Sequence, residues 1–384
     1  MVDVVSEAVE QGKLGGVVWT KVSTVTETRL VHELAKAGYG WESSSDEEEG
    51  NGEGESDDDE DEEPEGLLKV IHALVRARSV GRIRYAYPVL RLVLPRIEAQ
   101  CVAPVEQLLA KITRLGVQVI CGPELEAAKP VREVAESMRG DPYARFTGTL
   151  NIDCTLLLAL VSDLSHGSVG VEDWQHVAIQ RQIVREAEDQ LLPRVVYPAL
   201  EGRKLVCSTE AANRCREIVA TIGTSKEKAR TDLIFEKGPA GVGSGERVKR
   251  LQELSNYAIP TDLCLPIQEV DVDIPGTVAK LGTLGRKVAE KLTVINQSVF
   301  LYGWAEGITT ISSNRVVARE IEGVVEGNRT GEEGGPDVWI CPTARSLVGK
   351  EKVRRGANGK MGWDEIEKRT AEDEEGREKG IRKE

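Results

Sequence analysis

Apolar positions along this chain change period at short intervals. Two β-branched stretches, residues 2–5 and 17–22, flank a turn marked by Gly12, Gly15 and Gly16 and predict a β-hairpin. Leu30, Val31 and Leu34 fall at helical spacing within 26–37, and Leu67, Leu68, Ile71, Leu74 and Val75 do so within 67–79. Residues 83–87 read as a short strand closed by Pro88. Residues 105–115 read as a helix stopped by Gly116, and the β-branched run 117–121 as a strand ended by Gly122 and Pro123.

The second half repeats the alternation. Residues 149–153 predict a strand, 154–164 a strongly apolar helix, 174–189 a charged helix, 204–208 a strand and 209–222 a helix closed by Gly223. Residues 233–235 lead into a glycine-rich loop and a charged helix over 246–254. A helix over 278–291 follows. Residues 299–302, 308–312 and 338–341 read as strands, with a helix over 315–321 between the last two. No repeat of fixed period is present. Alternating strands and helices predict the α/β class. The polar, proline-flanked stretch 123–142 divides the chain into a small N-terminal α/β domain (1–123), a linker (124–144) and a second α/β domain (145–349).

Charge changes this picture in two places. The net charge is −14, yet 14 Asp and Glu with no Lys or Arg lie between Asp46 and Glu65, so the rest of the chain is balanced. Such a run repels itself and has too little apolar surface to fold, so 42–66 reads as a disordered acidic insertion in a surface loop. The alternative is an acidic patch for a basic protein partner such as a histone. Residues 350–384 hold 11 basic and 10 acidic residues and read as a disordered charged tail, with a frayed helix around 363–370.

Composition excludes several classes. No apolar run approaches the ~18–20 residues of a membrane span, and the N-terminus lacks the basic-then-apolar order of a signal peptide. Seven cysteines without CxxC pairs argue against a secreted disulfide scaffold or a zinc ribbon. Four histidines without HExxH argue against a haem or zinc-protease site. The expected location is intracellular, cytoplasmic or nuclear, with no membrane partner.

Four motifs invite chemistry. The loop at 238–245, GPAGVGSG, follows an apolar stretch and precedes a helix, but it lacks GK[ST] and its spacing fails GxGxxG. It reads as a surface loop, and no nucleotide cofactor is expected. Asp3 and Lys21 on paired strands echo a restriction-endonuclease half-site, but Trp19 stands where the second acid belongs, so an ordinary hairpin is preferred. Arg76, Arg78, Arg82, Arg84, Arg91 and Arg96 surround Tyr85 and Tyr87, which suits RNA contact as well as a plain solvated face. More informative is LNIDCTLLLALVS at 150–162, where an apolar strand delivers Asp153 to the start of an apolar helix. In open α/β sheets ligands gather at that edge, and an Asp there is equally a helix N-cap.

The strand–Asp–Ser/Thr–helix opening resembles that of PIN-like domains, Rossmann-type three-layer nuclease folds with clustered carboxylates. Further pieces resemble, in order, an uncharacterised eukaryotic family with fungal relatives and a vertebrate open-reading-frame protein named for chromosome seven. These are VDVVSEAVEQGKLGGVVWTKV (2–22), RYAYP (84–88), LGVQVICG (115–122), LNIDCTLLLALVSDLSHG (150–167), ATIGTSKEKAR (220–230), YGWAEGITTISSNRVVARE (302–320) and PTARSLVGKEK (342–352). That family carries a C-terminal domain of unknown function. Its members have a helical segment before the VDVV strand, so the resemblance implies a shortened form or an incomplete gene model.

A PIN-like site implies Mg²⁺ or Mn²⁺ held by Asp153, with Glu217 or Glu210 as second acid and Glu306 as third. The set expected for catalysis is Asp153, Glu217 and Glu306, with Asp153 and Glu306 on the metal. Asn314 resembles the late polar turn and joins Arg76, Arg78, Arg82 and Arg84 as a nucleic-acid candidate. Glu306 and Asn314 depart from the Asp pattern. Two readings follow: a degenerate nuclease fold binding RNA or a protein, and a metal-dependent ribonuclease.

Overall fold

The computed structural model describes residues 2–10, 13–36, 66–98, 101–125, 130–135, 141–167, 169–173, 175–235 and 242–349. The acidic insertion, the first part of the glycine-rich loop and the charged tail lie outside the described residues.

Two parallel-sheet units follow one another. In the first, the strands stand in the order β1 (Val4–Glu10), β2 (Lys13–Val22), β3 (Val89–Leu94), β4 (Val117–Cys121). The hairpin β1–β2 is antiparallel as expected, and β2–β3–β4 run parallel. Parallel neighbours need crossovers, and these are α1 (Glu27–Lys36) with α2 (Gly66–Val80), then α3 (Ala103–Arg114). Right-handed crossovers stepping one way place all three helices on one face. Leu90, Leu92 and Leu94 of β3 meet Leu30, Ile71 and Ile112 of the helices there.

The expected strand at 83–87 is instead a tight turn. Arg84 (φ 50°) and Tyr85 (φ 65°) are both left-handed. The Ile83 N–H donates to the Ala86 carbonyl at 2.8 Å, and the Ala86 N–H to Ile83 at 3.1 Å. The strand comes after Pro88, where VLRLVL alternates between core and surface.

The second unit is a five-stranded parallel sheet in the order β7 (Gln268–Val270), β6 (Lys204–Ser208), β5 (Thr149–Ile152), β8 (Thr309–Ser312), β9 (Val338–Ile340). From β5 the chain winds outward to β6 and β7, then crosses back to β8 on the other side of β5. By the same handedness rule, the two halves carry their helices on opposite faces. The first layer holds α4 (Cys154–Val161), α5 (Val177–Asp189), α6 (Thr209–Ile222), α7 (Ser225–Ile234) and α8 (Ser244–Glu253). The second holds α9 (Ile274–Ala289) and α10 (Arg315–Asn328), which pack together. Residues 299–302, expected as a strand, lie in and just after a π-helical turn, Gln297–Leu301. There Val299, Phe300 and Leu301 are buried, so the apolar run marks a core helix. Among the described residues no helix is long and apolar enough to cross a membrane. All seven cysteines are free thiols.

Candidate functional site

The winding direction reverses between β5 and β8, which makes their carboxyl ends the switch point of the sheet. Asp153 stands there. Its backbone N–H donates to the Ile311 carbonyl of β8 at 3.0 Å, which fixes the residue at the crevice. The position is that of an N-cap, but its side chain makes no cap hydrogen bond. Instead Oδ2 accepts from the Ser312 hydroxyl at 2.6 Å and from the Thr155 hydroxyl at 2.7 Å. Thr155 Oγ1 accepts in turn from the Ser313 N–H at 3.0 Å, and Ser312 Oγ from the Asn314 N–H at 2.9 Å. Asn314 then caps α10 by accepting from the Val317 N–H at 3.3 Å. One carboxylate thus ties the turn after β5 to the turn after β8. Asp153 is buried, 3% exposed. Burial pushes its carboxyl pKa up, against the two hydroxyls and the nearby N–H groups that pull it down.

The other expected acids lie elsewhere. Glu306 precedes β8 whereas Asp153 follows β5, and those strands are parallel. The two therefore sit at opposite ends of the sheet, separated by at least about 13 Å of four-residue strand. They cannot share a metal ion, which corrects the expected pair. Glu306 is exposed and meets Lys280 at 3.0 Å. Glu217 lies in the third turn of α6, about 12 Å down the helix from the sheet edge. It too is exposed, pairing with Arg214 at 3.3 Å.

Glu210, in the first turn of α6, is the acid that the topology brings to the same edge as Asp153. Its Oε2 is buried without a hydrogen-bond partner. Among the described residues no group of three or more His, Cys, Asp or Glu is arranged to hold a metal. The set Asp153, Glu217 and Glu306 does not fit a divalent ion.

The arginine cluster divides. Arg82 has a side chain 1% exposed and grips the Glu326 carboxylate from Nε (3.1 and 3.2 Å) and Nη2 (2.9 Å). It is spent inside the protein, which corrects its assignment to nucleic acid. Tyr85 packs against the core of the second unit, and Arg329 stands over the Tyr87 ring at 5.6 Å. Neither ring is a free stacking platform. Arg76 and Arg84 are exposed, and Arg78 is half-buried. Asp3 and Lys21 pair at 3.1 Å, and Asp3 also accepts from the Val22 N–H at 2.8 Å, so both serve the hairpin.

A buried polar network escaped the sequence reading. Arg230, fully buried, donates to Asp163 Oδ1 at 2.6 Å and to the carbonyls of Val161 and Leu254. Asp163 Oδ2 accepts from the Thr224 hydroxyl at 2.6 Å. Thr224 and Glu227 form a capping box on α7, and Glu227 also accepts from the Asp163 N–H at 3.0 Å. The available signal was Thr224-x-x-Glu227, a capping-box spacing, inside ATIGTSKEKAR.

No solved structure matches the chain. Residues 150–239, from β5 through α7 and including Asp153, match a protein family of unknown function, DUF1308.

Proposed function

We propose that the second unit is a PIN-like fold working as a non-catalytic module that binds a protein partner. The observation that carries this reading is the position of the acids. Asp153 is buried and tied to two hydroxyls at the switch point, while Glu306 lies at the far end of the sheet and Glu217 far down a helix. Phosphodiester hydrolysis by a divalent metal needs carboxylates converging on one point. A parallel sheet with a switch point is the frame a PIN-like domain requires, so the fold supports the resemblance while the acid set does not support the chemistry. Of the two partners, a protein fits better than RNA. Arg82, Tyr85 and Tyr87 are engaged within the molecule, which leaves the suggested RNA surface without its aromatic and buried cationic parts.

The test is thermal unfolding with and without Mn²⁺, beside RNA binding and cleavage at about 0.15 M salt. A ligand bound only by the folded state would raise the melting temperature. The expected result is no Mn²⁺-dependent rise, no cleavage and no RNA binding. A rise that disappears in Asp153→Asn, together with Mn²⁺-dependent cleavage, would overturn the reading in favour of the ribonuclease. Tight, salt-sensitive RNA binding would overturn the choice of a protein partner.

A further inference from the structure

Helix α5 (Val177–Asp189) buries a single residue, Glu186. Glu186 faces the final described segment, where Arg345 Nε donates to its Oε2 at 2.7 Å and the Ser346 N–H donates to Gln182 Oε1 at 2.8 Å. About half a turn round the helix from Glu186, Val177, Arg181, Val184 and Glu188 follow one another at spacings of four, three and four. That is the repeat of a coiled-coil seam, the stripe along which one helix accepts another. Val177 is 53% exposed and Val184 59%, with Val171, 53% exposed, lining the same shallow groove. The groove is also lined by two cations, Arg181 and Arg185, and by two anions, Glu188 and Asp189. It is electrically balanced, so it selects neither an acidic nor a basic occupant. What selects is the order of the charges: the cations come first along α5 and the anions last.

We infer that this face binds the same face of a second copy of the chain, the two α5 helices lying antiparallel about a two-fold axis. Arg181 and Glu188 stand equally far, about 5 Å, on either side of the point midway between Val184 and Arg185. A two-fold axis through that point sets Arg181 of each copy level with Glu188 of the other, so one ion pair is made twice. The two Val184 side chains then meet beside the axis, within about 2 Å of the same level. Val177 falls near the C-terminal end of the opposing helix. Arg185 lies to one side of the seam, where Asp189 of its own helix, one turn further on, balances it. A parallel pair would set Arg181 against Arg181 and Glu188 against Glu188. The charges that favour the antiparallel pair therefore exclude the parallel one. A seam along one helix of 13 residues is a small interface. It falls below the ~1,200 Å² of stable complexes, so the dimer is weak and forms with rising concentration. This inference rests on α5 and stands apart from the reading of the switch-point acids.

Sedimentation equilibrium of the full chain from about 10 μM to about 1 mM tests it, the range over which a weak interface fills. The natural chain should pass from monomer toward dimer. Val184→Asp should hold it monomeric, and the exposure of Val184 spares the fold. Arg181→Glu and Glu188→Arg each put two like-charged pairs in place of two opposite ones, and each should weaken association about tenfold. An equimolar mixture of these two variants should associate again, because both Arg–Glu levels are restored across the mixed pair. The double variant, Arg181→Glu with Glu188→Arg, should dimerise like the natural chain. Damage to α5 itself could give neither rescue. A natural chain that stays monomeric at the highest concentration would overturn the inference. Association that the three single substitutions leave unchanged would also overturn it, by assigning the contact to another surface. So would a mixture that associates no better than its components.

Discussion

His166 shows how a single side chain stores a pH dependence. It is fully buried; Nε2 lies 2.9 Å from the Leu160 carbonyl and Nδ1 2.8 Å from the Ser255 hydroxyl. The neutral ring with hydrogen on Nε2 donates to the carbonyl and accepts from the hydroxyl, so both atoms are matched without charge. Burial first, and then the Arg230 cation, lower its pKa to about 4 from an ordinary 6.5. Between those values the unfolded chain takes up a proton that the folded chain refuses, so stability falls as the solution is acidified from pH 6.5 to 4. The full difference is on the order of 3 kcal/mol. Asp153 acts in the opposite sense: its raised pKa means that ionisation weakens the fold as pH rises through the folded value. Urea midpoints at pH 7 and pH 5 for the natural chain and His166→Gln separate the contributions. The natural chain should lose more on acidification than the variant; equal losses would exclude His166 as the source.

Elements show where tertiary packing outvotes local pattern. The short helix Tyr302–Ala305 backs directly onto the sheet because Gly303 has no side chain. A Cβ there would overlap Thr310 Oγ1 and press on Asn151 Nδ2, both fully buried. Gly303→Ala should therefore cost about 1–3 kcal/mol in chemical denaturation. Combining it with Thr310→Ala should cost less than the sum of the two changes, because the second removes the atom that the first strikes. Full additivity would show that the helix moves away instead. This crowding also explains the misread run at 299–302. Its apolar residues are buried in a helical turn that packs against α9 and β6, and period alone cannot separate a buried helix from a buried strand. Strands with β-branched cores, such as Val117–Cys121 and Lys204–Ser208, were legible to the residue. Gln268–Val270 was not, because a three-residue edge strand carries too little pattern. Asp153 was legible because strand, acid and helix are contiguous in sequence. The opposite-edge placement of Glu306 was not, since it depends on which side of its strand the acid falls.

At the scale of the whole molecule, the two units meet through the turn after α2. Arg82 binds Glu326 at the C-terminal end of α10 and donates from Nη2 to the Glu333 carbonyl at 2.8 Å. Arg329 shares Glu326 at 2.9 Å while standing over Tyr87. The Tyr85 ring lies against Gly335, where a Cβ would overlap it, and burial raises its hydroxyl pKa. All of these groups sit where α10 ends and β9 begins, the edge of the sheet opposite Asp153. The first unit is thus docked without covering the switch point. Units joined by a linker are expected to move independently unless a specific surface fixes them. Arg82→Ala tests that surface better than Glu326→Ala. Removing the glutamate would bury an unpaired guanidinium, whereas removing the arginine leaves Glu326 with Arg329. The charge-assisted bonds lost amount to about 2–3 kcal/mol between units. Calorimetry should show one unfolding transition for the natural chain and two for Arg82→Ala. The second unit, whose core is built from β5–β9 and their helices, should keep the higher melting temperature. A single transition in the variant, shifted but unsplit, would mean that contacts other than Arg82 lock the units together.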